Sequence, residues 1–322
     1  YKILQSSKDS NLPIDLGLWI GGDLEANNLE IQRALEILKE YPNRIQSVIV
    51  GNEVLLRKEL EPLELYAYID FMKSHTKKPV TTAETWDIWE KNPQLASHVD
   101  FLTIHILPYW EKVPIERYNE FIIEKYSVVE ELFPNRKIVI GETGWPSHGY
   151  NNNSAIPSIK NQAQAIRGFV NLAHEKGWHY NIIEALDQPW KGYDEGNVGQ
   201  YWGIFTTDRA LKFQLAGEVE LNKYWLYQMI AAIIIGALLT IFGLKNQRVN
   251  ISHAFAYAIA AQGMAFGIVM AAIYPFVNYM NFGMWIMWGM GSFLMIPLVI
   301  ITLAKANELF RSSIGVQPSR LV

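Results

Sequence analysis

The chain has 322 residues, 50% of them hydrophobic and 13% aromatic, with 28 Lys plus Arg against 32 Asp plus Glu and no cysteine. Such apolar content excludes a disordered chain, and the lack of cysteine excludes disulfide staples, zinc fingers, thiol catalysis and iron–sulfur clusters. The net charge of −4 offers no basic footprint for nucleic acid.

The chain opens on Tyr1, and no basic-then-apolar leader precedes Trp19, which reads as a start that is processed or missing. Short β-rich runs follow at Leu16–Ile20, Ser47–Val50, Pro79–Ala83, Phe101–Ile106, Lys137–Ile140 and Asn181–Ala185. Amphipathic helical patterns lie between them, at Asn28–Glu40, Pro62–Ser74 and Ile156–Lys176. Strand-then-helix alternation at roughly 25–45 residues predicts parallel βαβ units.

Beyond Tyr224 the solvent changes. Trp225–Leu244, Ala254–Phe276 and Met284–Ala304 are uncharged windows of 20, 23 and 21 residues. Each can cross a hydrocarbon core of roughly 30 Å at about 1.5 Å per residue. Three transmembrane helices are expected at 225–304, in a lipid bilayer. Residues 1–224 carry 23 basic and 31 acidic side chains, about −8, whereas residues 225–322 carry about +4. That excess is Lys245 and Arg248 after the first span, then Lys305, Arg311 and Arg320 against Glu308 in a tail at 305–322. The positive-inside rule puts the first loop and the C-terminal tail in the cytoplasm and the 224-residue region before the first span outside. No charge lies within a span, so an ion pathway is not expected. Gly263 and Gly267 suggest close helix packing, and Pro275 and Pro297 suggest kinks.

Polar groups collect where the runs of the first part end. In order they are Trp19; Gly51-Asn52-Glu53; Glu84 followed by Trp86; His105 with Tyr109-Trp110; Gly141-Glu142-Thr143-Gly144-Trp145-Pro146; and Asp187-Gln188-Pro189-Trp190. Chemistry at the C-terminal ends of several parallel strands predicts a (β/α) barrel enzyme. A doubly wound sheet fits less well, because no glycine-rich phosphate loop is present. Carboxylates beside tryptophans, without a metal-ligand cluster, point to carbohydrate. One acid protonates a leaving oxygen, a second carboxylate attacks or activates water, and indole faces lie against sugar rings. Glu53 and Glu142 are the candidate pair. The candidate substrate-binding residues are Trp19, Asn52, Glu84, His105, Tyr109, Trp110, Trp145, Asp187 and Trp190. Within that set Glu84, His105 and Asp187 read equally as partners tuning the pair or as satisfied polar residues, and each indole as a platform or a core cap. His148 lacks a nearby ligand partner, so no metal and no cofactor are expected. Asn152-Asn153-Ser154 fits a glycosylation sequon.

Gly51-Asn52-Glu53-Val54-Leu55 and Ile140-Gly141-Glu142-Thr143-Gly144-Trp145-Pro146-Ser147 resemble the two signatures of glycoside hydrolase family 17, whose members are retaining β-1,3-glucan-active enzymes on a (β/α)8 barrel. Thr81-Thr82-Ala83-Glu84, His105-Ile106-Leu107-Pro108-Tyr109-Trp110, Asp187-Gln188-Pro189-Trp190-Lys191 and Val198-Gly199-Gln200-Tyr201-Trp202-Gly203 resemble its bacterial branch. The resemblance covers residues 16 to about 209. It implies that Glu53 is the acid/base, Glu142 the nucleophile, and Asn52 a residue holding the sugar 2-hydroxyl or the nucleophile. In the wider clan these carboxylates end strands four and seven, whereas here they end the second and fifth visible strands. The expectation is a TIM-type barrel at residues 1–220 lacking its first two strands. Its function is then a membrane-anchored glycosidase, by hydrolysis or transglycosylation. The alternative is a noncatalytic glucan-guiding module of a membrane polysaccharide synthase. Resemblance to bifunctional synthases also implies a glycosyltransferase domain or subunit as partner.

Overall fold

The computed structural model describes residue 4 and residues 12–219, 224–245, 247, 249–277 and 282–313. Contacts divide the chain into two compact units, Tyr1–Val219 and Glu220–Val322.

The first unit is built on six parallel strands: β1 (Ile14–Leu18), β2 (Ile45–Asn52), β3 (Val80–Thr85), β4 (Leu102–His105), β5 (Ile138–Thr143) and β6 (His179–Ile182). They are hydrogen-bonded in chain order, β1 to β6. Helices α1 (Leu24–Glu40), α2 (Pro62–His75), α3 (Trp86–Lys91), α4 (Tyr118–Leu132) and α5 (Ile159–Lys176) fill the crossovers. The inner strands are apolar on both faces because side chains fill one side and helices cover the other. Val48, Val50, Val80, Leu102, Ile104 and Ile140 are fully buried. The sheet is part of a TIM-type barrel, as expected, open between β1 and β6.

Local chemistry sets the boundaries. Asp23 caps α1 by accepting from the Glu25 and Ala26 N–H groups, Ser158 caps α5 through the Asn161 N–H, and Glu61 with Glu64 forms a capping box ahead of α2. The Ser158 cap is why α5 starts at Ile159 rather than at the expected Ile156. Gly177, at φ 66°, ends it in the left-handed region. The sixth strand departs from its expected span of 181–185. After Ile182 the chain leaves the sheet, and residues 184–187 bond instead to 202–205 through Glu184 N–H to the Trp202 carbonyl and Phe205 N–H to the Ala185 carbonyl.

The second unit contains α6 (Trp225–Leu244), α7 (Ile251–Val277) and α8 (Phe282–Ser313). All three are long and apolar enough to cross a membrane. Side-chain bonds tie them: Gln262 to the Ala232 carbonyl at 2.9 Å, Trp288 to the Ala271 carbonyl at 3.0 Å, and His253 to Asn307 at 2.7 Å. The close helix packing expected at Gly263 and Gly267 lies elsewhere. Among the described residues, nothing stands within 4 Å of where their Cβ atoms would be, whereas Gln262 fills that space at Gly236 and Tyr257 fills it at Gly243. The expected tail begins as a continuation of α8; residues 314–322, with Arg320, and Arg248 lie outside the described residues.

Candidate active site

The strand ends converge on two carboxylates. Gly51, one residue before the end of β2, takes φ 83° and Glu53 just beyond the strand takes φ 54°, a left-handed conformation that costs a non-glycine residue about 1–3 kcal/mol and concentrates at functional sites. The turn is held by the Glu53 N–H donating to the Ala83 carbonyl at 2.7 Å. Behind it, Glu84 at the end of β3 is fully buried and accepts from the Leu55 and Leu56 N–H groups at 2.8 and 3.3 Å. Glu84 thereby anchors the loop that carries Glu53. Burial pushes its carboxyl up to about 7, against those two backbone bonds.

Glu142 projects from β5 opposite His105 of β4, where the register shifts. The His105 ring is 1% exposed, with Nδ1 at 2.9 Å from Glu53 Oε1 and 3.8 Å from Glu142 Oε2. Gly141 makes room for it, since a Cβ there would stand 2.5 Å from the Thr103 methyl and 2.9 Å from the ring. Burial works against a charged His105, but Glu142, the bond to Glu53 and Glu84 together raise its pKa. Burial likewise raises Glu142, with Glu53 adding to the rise and His105 opposing it. One ligand-capable atom from each of Glu53, His105 and Glu142 lies within 4.8 Å of the others, the one such grouping among the described residues. A metal ion would have to compete there with the His105–Glu53 hydrogen bond.

The three side chains sit in a cleft of about 320 Å³, walled also by Leu56, Thr85, Trp86, Leu107, Trp110, Glu111, Ile183, Glu195 and Trp202. Trp110 stacks on Trp202 with centroids 6.0 Å apart and an angle of 26°. Trp86 donates its indole N–H to Glu111 at 3.1 Å. Glu195 is raised by burial, partly offset by Lys191.

Several expected substrate contacts sit elsewhere. Trp145 is fully buried, donates to the Ile156 carbonyl and packs edge-on against Tyr109 and Tyr118; it belongs to the core. Tyr109 is equally buried, its hydroxyl donating to the Tyr150 carbonyl at 2.7 Å. Asp187 is bound to Lys212 at 2.6 Å and accepts from the Gly203 N–H, so it fastens the chain after β6 instead of meeting the carboxylates. Trp19 and Trp190 are exposed, at 60% and 58%, outside the residues that line this cleft: the Arg57 guanidinium lies 4.5 Å over the Trp19 ring, and Trp190 donates to Gln188. Asn52 is half-buried, its carbonyl taken by Arg57. Trp86, Glu111, Glu195 and Trp202 line the cleft beyond the expected substrate-binding residues. Trp86 follows the Glu84 strand end and Trp202 belongs to Val198-Gly199-Gln200-Tyr201-Trp202-Gly203, whereas Glu111 and Glu195 follow no strand end and carry no local signal.

The family model for the BtgE/BtgC glycoside hydrolase domain matches residues 1–203. The chain belongs to that family. This glycoside hydrolase is 28% identical over 228 residues to a glucan 1,3-beta-glucosidase of Saccharomyces cerevisiae, a match spanning 63% of this chain and 72% of that one. It is 27% identical over 220 residues to a glucan 1,3-beta-glucosidase of Schizosaccharomyces pombe, across 64% of this chain and 68% of that relative. Its barrel superposes on the family 17 beta-1,3-glucanosyltransferase of Rhizomucor miehei with a TM-score of 0.60 and 27% identity, covering 65% of this chain and 78% of that one. The family expected from the sequence, and the enzyme class, are thereby borne out.

Proposed function

We propose that this glycoside hydrolase cleaves β-1,3-linked glucan with retention of configuration, Glu53 acting as acid/base and Glu142 as nucleophile. One observation carries the reading: an oxygen of each carboxylate lies within 4.8 Å of the other. A retaining pair stands about 5–5.5 Å apart, and an inverting pair about 6.5–9.5 Å apart to admit a water. The substrate follows from the β-1,3-glucan named for the relatives.

Glu53 gives its proton to the glycosidic oxygen as the C1–O bond breaks, and a Glu142 oxygen bonds to C1. In the second step Glu53, now ionised, takes a proton from an incoming hydroxyl whose oxygen displaces Glu142 from C1. Water gives hydrolysis; a sugar hydroxyl gives transfer. The negative charge passes from Glu142 to Glu53 and back, and His105 faces both, so the ring serves both steps without changing the net charge. Trp110 and Trp86 offer indole surfaces to the sugar, with Glu111 and Glu195 placed to accept from hydroxyls. Product analysis on a laminari-oligosaccharide tests this: products longer than the substrate establish transfer, shorter ones alone establish hydrolysis, and an uncut substrate overturns the reading.

In the same reading α6–α8 anchor the enzyme in a bilayer, its barrel outside and its basic tail in the cytoplasm, where a glycosyltransferase domain or subunit would be met. The chain has no native cysteine, so single replacements report topology. Ser97→Cys on the barrel is expected to react with an impermeant maleimide in intact cells, and Lys245→Cys only after permeabilisation. The reverse pattern overturns the orientation.

A further inference from the structure

The triplet Asn152-Asn153-Ser154 in the loop after β5 reads as a sequon, and the catalytic geometry leaves it unused. In the fold it builds a tight turn. The Asn152 N–H donates to the Ala155 carbonyl at 2.9 Å, and the Ala155 N–H returns to the Asn152 carbonyl at 3.0 Å. Asn153 takes φ 54°, a region asparagine enters more readily than most side chains. From this turn the Asn152 carboxamide reaches the loop after β4, where Nδ2 donates to the Tyr109 carbonyl at 2.9 Å and the Trp110 carbonyl at 3.3 Å. Two more bonds join the same loops: Ser154 Oγ to the Lys112 carbonyl at 2.5 Å, and the Tyr109 hydroxyl to the Tyr150 carbonyl at 2.7 Å.

Residues 109–112 form a turn outside any helix or strand; the Lys112 N–H closes it on the Tyr109 carbonyl at 3.1 Å, and the Asn152 carboxamide adds a second donor there and meets the Trp110 carbonyl. Trp110 is therefore held twice, through its backbone by Asn152 and through its ring by Trp202 at 6.0 Å. We propose that Asn152 is a positioning residue for Trp110: the turn at 150–155 clamps the loop that presents the indole wall of the cleft. The inference rests on the reading of Trp110 as a sugar contact. An N-linked glycan would take one of the two Nδ2 hydrogens that meet these carbonyls, so the triplet works as a clamp and not as an acceptor. Asn152→Ala removes both donors, and Asn152→Asp sets a carboxylate against two carbonyl oxygens.

The test uses the full chain in detergent micelles, labelled with 5-fluorotryptophan, with the Trp110 resonance assigned through Trp110→Phe. In both Asn152 variants the Trp110 signal is expected to shift or broaden while that of the core residue Trp89 stays in place. The KM for a laminari-oligosaccharide should rise about five-fold or more, the consequence of losing a hydrogen bond or two, with kcat held within about two-fold. Ser154→Ala removes the sequon and the Lys112 bond but keeps both Asn152 bonds, so its KM should rise less than in either Asn152 variant, and an equal rise overturns the assignment to Asn152. An unmoved Trp110 signal, or one that moves together with Trp89, overturns the clamp. A displaced Trp110 signal with unchanged KM leaves the clamp standing and overturns Trp110 as a sugar contact.

Discussion

Glu142→Gln is expected to abolish turnover of every substrate, by a factor on the order of 10⁴ or more, because an amide cannot form the glycosyl ester. Glu53→Ala should be selective. Cleavage of a laminari-oligosaccharide, whose leaving oxygen needs a proton, should fall by about 10²–10⁴-fold. An activated aryl β-glucoside should still load Glu142, and the ester should then wait for a nucleophile that needs no base. Azide supplies one. In the Glu53→Ala variant it is expected to restore turnover and yield the β-glucosyl azide, since the first displacement inverts C1 and the second inverts it again. An α-glucosyl azide from that variant would show that the two roles are exchanged. The two carboxylates flank one His105 nitrogen, Glu53 at 2.9 Å and Glu142 at 3.8 Å.

The second large effect is on stability, and its sign follows from Glu84. Burial raises this carboxyl from 4.5 to about 7, so the folded chain binds the proton more tightly than the unfolded chain does. Stability is fullest below the unfolded value, declines as pH rises toward 7, and is flat beyond it. A rise of about 2.5 units corresponds to roughly 3 kcal/mol, or about 6–12 °C in Tm for a unit of some 200 residues. Glu84→Gln cannot titrate. It keeps one acceptor for the Leu55 N–H and turns an amide toward the Leu56 N–H, a constant penalty at every pH. Thermal melts of the full chain in detergent should therefore show the variant below the parent at pH 5 and gaining on it by several degrees toward pH 8. Glu142, whose rise draws nothing from Glu84, slopes the same way in both proteins and cancels in the difference, whereas His105, raised in part by Glu84, slopes less steeply in the variant. Parallel curves would mean that Glu84 is ionised at little cost.

Several of these expectations were legible in residue order alone. Gly-Asn-Glu and Gly-Glu-Thr-Gly at the ends of β-rich runs located both carboxylates, because parallel strands deliver their last residues to one rim. His105 was legible for the same reason. The two aromatic residues that lie in the core, Trp145 and Tyr109, share a different cause. Tryptophan and tyrosine carry a large apolar surface and a single polar group, so composition cannot separate a core residue from a sugar platform. Trp145 and Tyr109 were decided by whether a carbonyl stood within reach of the N–H or O–H inside the packing, and at Ile156 and Tyr150 one did. Asp187 shows the limit for charge: its partner Lys212 lies 25 residues on, with no periodicity to announce it.

The sequence by itself determined the class of fold, the family, the two candidate carboxylates and the three apolar helices. These rest on local signals: strand and helix periods, turn residues, and charge-free length. Tertiary structure alone decided which indoles wall the cleft, that Glu84 anchors the loop bearing Glu53, and that Asn152 serves the neighbouring loop. Those outcomes depend on distances between chain segments, and distance across a barrel rim is set by how strands twist and loops pack, which no short stretch of residues contains.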